Sequence, residues 1–148
     1  MITLMRKTAQ LVLRTALPEL NRLADWVETV AREAQLAADT VFAVQLCLEE
    51  AVANIMMYGG ADADAAITVR IEPAERELVA VIEDGARPFD PTALPPRIAP
   101  QSLEEARTGQ LGVHLIRNYA SQMQYEQREG RNRLTLRFTH AQAAPKPA

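Results

Sequence analysis

DTVFAVQLCLEEAVANIMMYGG, residues 39–60, reads as one long helix around which the other segments can be ordered. From Val41 to Met57 the exceptions to an apolar run are Gln45, Glu49, Glu50 and Asn54. At about 100° per residue, Gln45 and Glu49 share one face, and Glu50 and Asn54 share another roughly 140° away. A helix with one wet side needs a single polar stripe. The second stripe sets a carboxylate and a carboxamide at i,i+4, where both can reach one ligand. A carboxylate can accept a proton and an amide oxygen can hold a hard cation such as Mg²⁺. A second solvated face remains the alternative from the helix alone. Asp39 is expected to cap the helix and Gly59-Gly60 to end it.

The chain has 148 residues, enough for one domain with a core. Its 48% hydrophobic and 24% charged residues are those of an ordinary soluble protein. A net charge of −3 gives no electrostatic reason to expect nucleic acid or an anionic membrane as partner. The single cysteine, Cys47, lies among apolar residues and reads as a buried thiol rather than a nucleophile. The first seven residues lack the layout of a secretory signal, and no segment is expected to match the roughly 20 apolar residues of a membrane span. A cytoplasmic protein is the expectation.

Upstream of the long helix, residues 8–16 alternate, with Leu11 and Leu13 on one side and Gln10, Val12 and Arg14 on the other, as in a strand with one buried face. Leu17-Pro18 then opens a helix whose apolar positions are Leu20, Leu23, Ala24, Val27 and Val30, with Trp26 flanking them. Downstream, residues 66–71 and 77–83 form a hairpin joined through Pro73-Ala74-Glu75. The unbroken apolar run from Leu78 to Ile82 suits a strand covered on both faces, near the sheet centre. Residues 84–109 contain five prolines and read as a long lid or binding segment. A helical run from Val113 to Tyr119 follows, then a second hairpin of residues 123–128 and 133–138 with its turn at Gly130-Arg131-Asn132. Residues 141–148 carry no core-forming content and are expected to be disordered. The order β-α-α-β-β-loop-α-β-β argues for a single α+β domain, residues 1–140: a two-layer sandwich with helices on one face of a mixed, mostly antiparallel sheet.

Three separated segments can converge in such a sandwich: Glu50-Ala51-Val52-Ala53-Asn54, Asp84-Gly85-Ala86-Arg87-Pro88-Phe89-Asp90-Pro91, and Thr108-Gly109-Gln110-Leu111-Gly112. A helix start reached through glycines exposes N–H groups suited to phosphate oxygens, although a flexible loop before an ordinary helix reads the same way. A carboxylate ending a strand beside a pocket can accept from an exocyclic amine, or serve simply as a turn residue.

Together the segments resemble the motifs of the GHKL superfamily of ATPases and kinases, with its Bergerat ATP-binding fold, and most nearly those of the anti-sigma-factor serine/threonine kinases. The likeness runs from about Leu11 to Phe138. Glu50-x-x-x-Asn54 matches the N box, Asp84 with Pro88-Phe89-Asp90-Pro91 the adenine box, and Gly109-x-x-Gly112-Val113-His114-Leu115-Ile116-Arg117 the second glycine box. Two positions depart from the family pattern: the adenine box reads Asp84-Gly85-Ala86 instead of Asp-x-Gly, and Gln110 stands where many relatives have glycine.

The resemblance implies ATP and Mg²⁺, with Asn54 as the metal ligand and Glu50 as general base. It implies that Asp84, with Ala86 beside it, holds the adenine, and that Gly109, Leu111, Gly112 and Val113 wrap the phosphates. Residues 91–108 would be the ATP lid. Arg107 is favoured over Arg97 as a cation near the γ-phosphate, with exposure on a mobile loop as the alternative for either. His114 and His140 are given no role. The implied partners are a sigma factor and a STAS-type anti-anti-sigma protein, and relatives commonly form homodimers. A nucleotide-binding switch without phosphotransfer is the competing reading. A detached sensor histidine kinase domain is weaker, since the first helix carries no histidine.

Overall fold

The computed structural model describes residues 7–58, 65–88, 90, 92 and 116–139. Strands β1 (Ala9–Arg14), β2 (Ala66–Pro73), β3 (Glu77–Asp84), β4 (Gln122–Arg128) and β5 (Arg131–Thr139) form one sheet in the order β1-β2-β3-β5-β4. Every pairing is antiparallel, so the expected mixed sheet is corrected to a fully antiparallel one among the described residues. Short hairpins and a β1-to-β2 return through two helices make this topology sufficient. Helices α1 (Glu19–Glu33) and α2 (Ala38–Tyr58) pack on each other, α1 against β1 and α2 against β3 and β5.

Helix α2 buries Val44, Cys47, Leu48, Ala51 and Val52, one continuous arc, against the sheet residues Val69, Leu78, Ala80, Ile82, Leu134 and Leu136 of the same core. Ala38–Met57 is by length and composition apolar enough to cross a membrane, which corrects the expectation that no segment is. Here that apolar character fills the core of an α+β domain. Asp39 does not cap α2, because the helix already starts at Ala38; its carboxylate lies inside the first turn, where it still favours the helix dipole. Gly59-Gly60 lies outside the described residues.

Helix α1 opens behind Pro18 and buries Leu23, Val27, Val30 and Ala31, while Trp26 packs half-buried against the core. Its end is a Schellman turn: Leu36 N–H donates to Ala31 O at 3.0 Å and Gln35 N–H to Arg32 O at 3.2 Å. Gln35 takes the left-handed conformation, φ 53°, that this motif demands.

Strand β3 is central, as its apolar run implies, but among the described residues only one of its faces meets helices. Leu78, Ala80 and Ile82 are fully buried on the helix side. On the other side Val81 lies between Arg70 and Thr135, and Val79 between Glu72 and Arg137. Ion pairs cross that open face, Arg70 to Glu72 at 3.2 Å and to Glu83 at 3.9 Å, Arg133 to Glu83 at 3.5 Å, and Arg137 to Glu77. Long side chains flanking Val81, 5% exposed, can screen such a face with their apolar stems, so an uninterrupted apolar strand does not require a second helical layer.

The β4–β5 turn is Glu129-Gly130, with φ 55° and 75°, as in a two-residue type I′ hairpin. The expected turn at Gly130-Arg131-Asn132 is thus displaced by one residue, and Asn132 becomes a buried member of β5. Glutamate is a poor occupant of a left-handed position. Glu129→Asn should stabilise the domain by about 1 kcal/mol, measured by chemical denaturation.

Candidate active site

The apolar arc of α2 leaves two flanks for its polar residues. One faces α1, where Gln45 Nε2 donates to Ala24 O at 3.4 Å. The first polar stripe is therefore partly a helix–helix contact. The opposite flank carries Glu50 and Asn54. Asn54 is 8% exposed, and its side chain makes no hydrogen bond among the described residues. An amide at this position, without a hydrogen bond among the described residues, has its oxygen open to a ligand. That fits a Mg²⁺ site in which one protein oxygen is supplemented by phosphates and water.

Glu50 is half-buried, and desolvation raises its carboxyl above the ordinary value. The direction makes it a stronger base. Glu49 is raised too, first by desolvation and then by the Glu50 charge. Cys47, fully buried, is pushed to about 12 by desolvation and secondarily by Glu50, which leaves an inert thiol.

Asp84 ends the central strand on its helix-facing side, level with Asn132 of β5 and Ile67 of β2. It is 5% exposed. Its Oδ1 accepts from Ala86 N–H at 2.8 Å, closing a turn on itself, and from Asn132 Nδ2 at 3.0 Å. Asn132 Nδ2 also donates to Ala86 O at 2.9 Å, and Asn132 Oδ1 accepts from the Tyr125 hydroxyl at 2.6 Å. Neither Gly85 nor Ala86 has positive φ, so the shifted glycine costs the backbone nothing. Asp90 Oδ1 accepts from Thr92 N–H at 2.8 Å, and Arg117 donates to Thr92 O at 3.0 Å, which ties the root of the 91–108 segment to the helical residues 116–119.

The structure thus sets Glu50 and Asn54 on one flank of α2, and Asp84 on the helix-facing side of the sheet with Ala86 closing its turn. Arg97, Arg107, Gly109, Leu111, Gly112, Val113, His114 and His140, most of the 91–108 lid and the 141–148 tail lie outside the described residues. The sequence reading missed Asn132 and Tyr125. Extending the buried alternation Phe138, Leu136, Leu134 back by two residues would have put an amide on the core face.

A two-layer domain with a half-buried carboxylate and a buried amide on its core helix, and a buried carboxylate ending its central strand, has the layout of the nucleotide-binding α+β domains. Comparison with known proteins makes this specific. The histidine kinase-like ATPase domain family matches residues 13–138, and the chain belongs to that family. It is 34% identical over 113 residues to the serine/threonine-protein kinase BtrW of Bordetella bronchiseptica, covering 75% of this chain and 79% of that one. Its fold resembles the crystal structure of the RsbU and RsbW domains of Rv1364c from Mycobacterium tuberculosis, with a TM-score of 0.64 at 13% identity. That match takes in 90% of this chain and 32% of the larger protein.

The raised Glu50 carboxyl has a stability consequence. Folded Glu50 holds its proton more tightly than unfolded Glu50, so its contribution to stability falls as pH rises from the ordinary carboxyl value through the raised one. Glu50→Gln should therefore melt higher than wild type at pH 7.5, with the gap closing towards pH 4. Thermal melts of the two proteins across that range check it.

Proposed function

We propose that the chain is a Mg²⁺-dependent ATP:protein serine/threonine kinase acting as an anti-sigma factor, which binds a sigma factor and phosphorylates a STAS-type anti-anti-sigma partner. The observation that carries this reading is the Glu50–Asn54 pair: a half-buried carboxylate of raised basicity one helical turn from a largely buried amide that makes no hydrogen bond among the described residues. A domain that only gripped nucleotide would have no use for the base. Kinship with a named serine/threonine kinase supports the same choice.

In this reading Asp84 accepts from the adenine amine and Ala86 packs beside the base. Asn54 holds Mg²⁺ through its amide oxygen; the bound ion supplies charge neutralisation at the ATP phosphates. The backbone of Gly109, Leu111, Gly112 and Val113 cradles those phosphates, and Arg107 offsets charge as the γ-phosphoryl group moves. Glu50 takes the proton from the acceptor hydroxyl while the hydroxyl oxygen bonds to the γ-phosphorus and the bond to ADP breaks. Positioning and charge neutralisation supply most of the catalysis in such a transfer. The role places the protein in the cytoplasm, as a homodimer.

Separate variants test the two roles. Glu50→Gln keeps shape and hydrogen bonding but cannot take the proton, so ATP binding should survive while phosphotransfer falls by about 10²–10⁴. Asn54→Ala should instead weaken Mg²⁺-dependent ATP binding. The readouts are calorimetry and intact mass of a STAS-type protein encoded beside this chain. Wild type that binds ATP and partner but never transfers phosphate, with Glu50→Gln indistinguishable from it, would make the protein a nucleotide-binding switch.

A further inference from the structure

Asn132 is a buried amide, 5% exposed, that none of the three sequence motifs includes. Its orientation is determined by its partners. Asp84 Oδ1, at 3.0 Å, and Ala86 O, at 2.9 Å, can only accept, so the amide nitrogen must face them. The amide oxygen is thereby turned to Tyr125, whose hydroxyl must donate across 2.6 Å. Turning the amide over would set its oxygen against both of those acceptors and lose two bonds, keeping at best a reversed one to the Tyr125 hydroxyl.

The consequence falls on Asp84. With the Ala86 N–H as its only donor, the carboxylate could still rotate about its terminal torsion, which has a broad minimum. A second donor arriving from the neighbouring strand fixes the carboxylate plane. Both donors use Oδ1, and Oδ2 receives no hydrogen bond among the described residues. We propose that Asn132, locked by Tyr125, is a positioning residue for base selection: it holds the Asp84 carboxylate so that Oδ2 alone is presented to the 6-amino group of a purine. This rests on the ATP-site reading above. The chain Tyr125, Asn132, Asp84 then links a β4–β5 hairpin pair to nucleotide specificity, and preorganisation of this kind strengthens selection without adding any contact to the ligand.

The test compares ATP with purine riboside triphosphate, which lacks the 6-amino group, by calorimetry with Mg²⁺ on wild type, Tyr125→Phe, Asn132→Ser and Asp84→Asn. Wild type should prefer ATP, and Asp84→Asn should abolish the preference. Tyr125→Phe keeps the ring and its packing, so its melting temperature should stay near wild type while the preference drops about threefold to tenfold, through weaker ATP binding alone. Asn132→Ser should drop it at least as far. Equal losses for both ligands, or an undiminished preference in Tyr125→Phe and Asn132→Ser, would overturn the proposal while leaving the Asp84 assignment standing. Wild type without any preference, or Asp84→Asn retaining it, would remove the adenine assignment and this inference together.

Discussion

The packing of α2 across β3 and β5 is the constraint on which the other features hang. Val44, Cys47, Leu48, Ala51 and Val52 occupy one arc of the helix, all at 5% exposure or less. Each large side chain among them contributes about 1.5–3 kcal/mol of burial. A helix committed this strongly to a sheet cannot roll. Its remaining polar residues are therefore delivered to fixed flanks, Gln45 towards α1 and Glu50 with Asn54 on the other side.

The same packing sets the environment of the site. Burial that holds the helix also desolvates Glu50 and Cys47, with opposite chemical results: it strengthens a carboxylate as a base and silences a thiol. At the sheet, antiparallel register puts Asp84 and Asn132 directly opposite each other on the helix-facing side. Buried polar groups in such a layer must satisfy one another, and Asp84, Ala86, Asn132 and Tyr125 do so through a chain of hydrogen bonds that leaves one oxygen of Asp84 without a hydrogen bond among the described residues. The open face of the sheet follows other rules. Its arginine–glutamate pairs are surface contacts of small individual worth, and they leave the chemistry to the helix side.

Periodicity made most of the fold legible. Leu11 and Leu13 against Val12 and Arg14 show a clean two-residue period, and Leu23, Val27 and Val30 a helical one, and both are buried as those patterns imply. Errors arose where local residue chemistry competes with tertiary demand. Gly130-Arg131-Asn132 has turn composition, yet pairing of Arg128 with Arg131 forces the turn onto Glu129-Gly130. The Leu78–Ile82 run cannot distinguish a second helical layer from cover by charged side chains, since both exclude water. In the candidate site, Glu50, Asn54 and Asp84 stand out in the sequence because each is a polar residue in an apolar or strand-end context. Asn132 does not, because its meaning depends on a partner 48 residues away.

The most direct test of an ATP site between α2 and the helix-facing side of the sheet is a backbone amide NMR titration of the ¹⁵N-labelled protein with ATP, with and without Mg²⁺. The expected result is a set of shifts concentrated at Glu50 to Asn54, Asp84 to Ala86, Tyr125 and Asn132, with those near Asn54 dependent on Mg²⁺ and those near Asp84 much less so. Shifts confined to the open face around Arg70, Glu83 and Arg133, or none at saturating ATP, would contradict it.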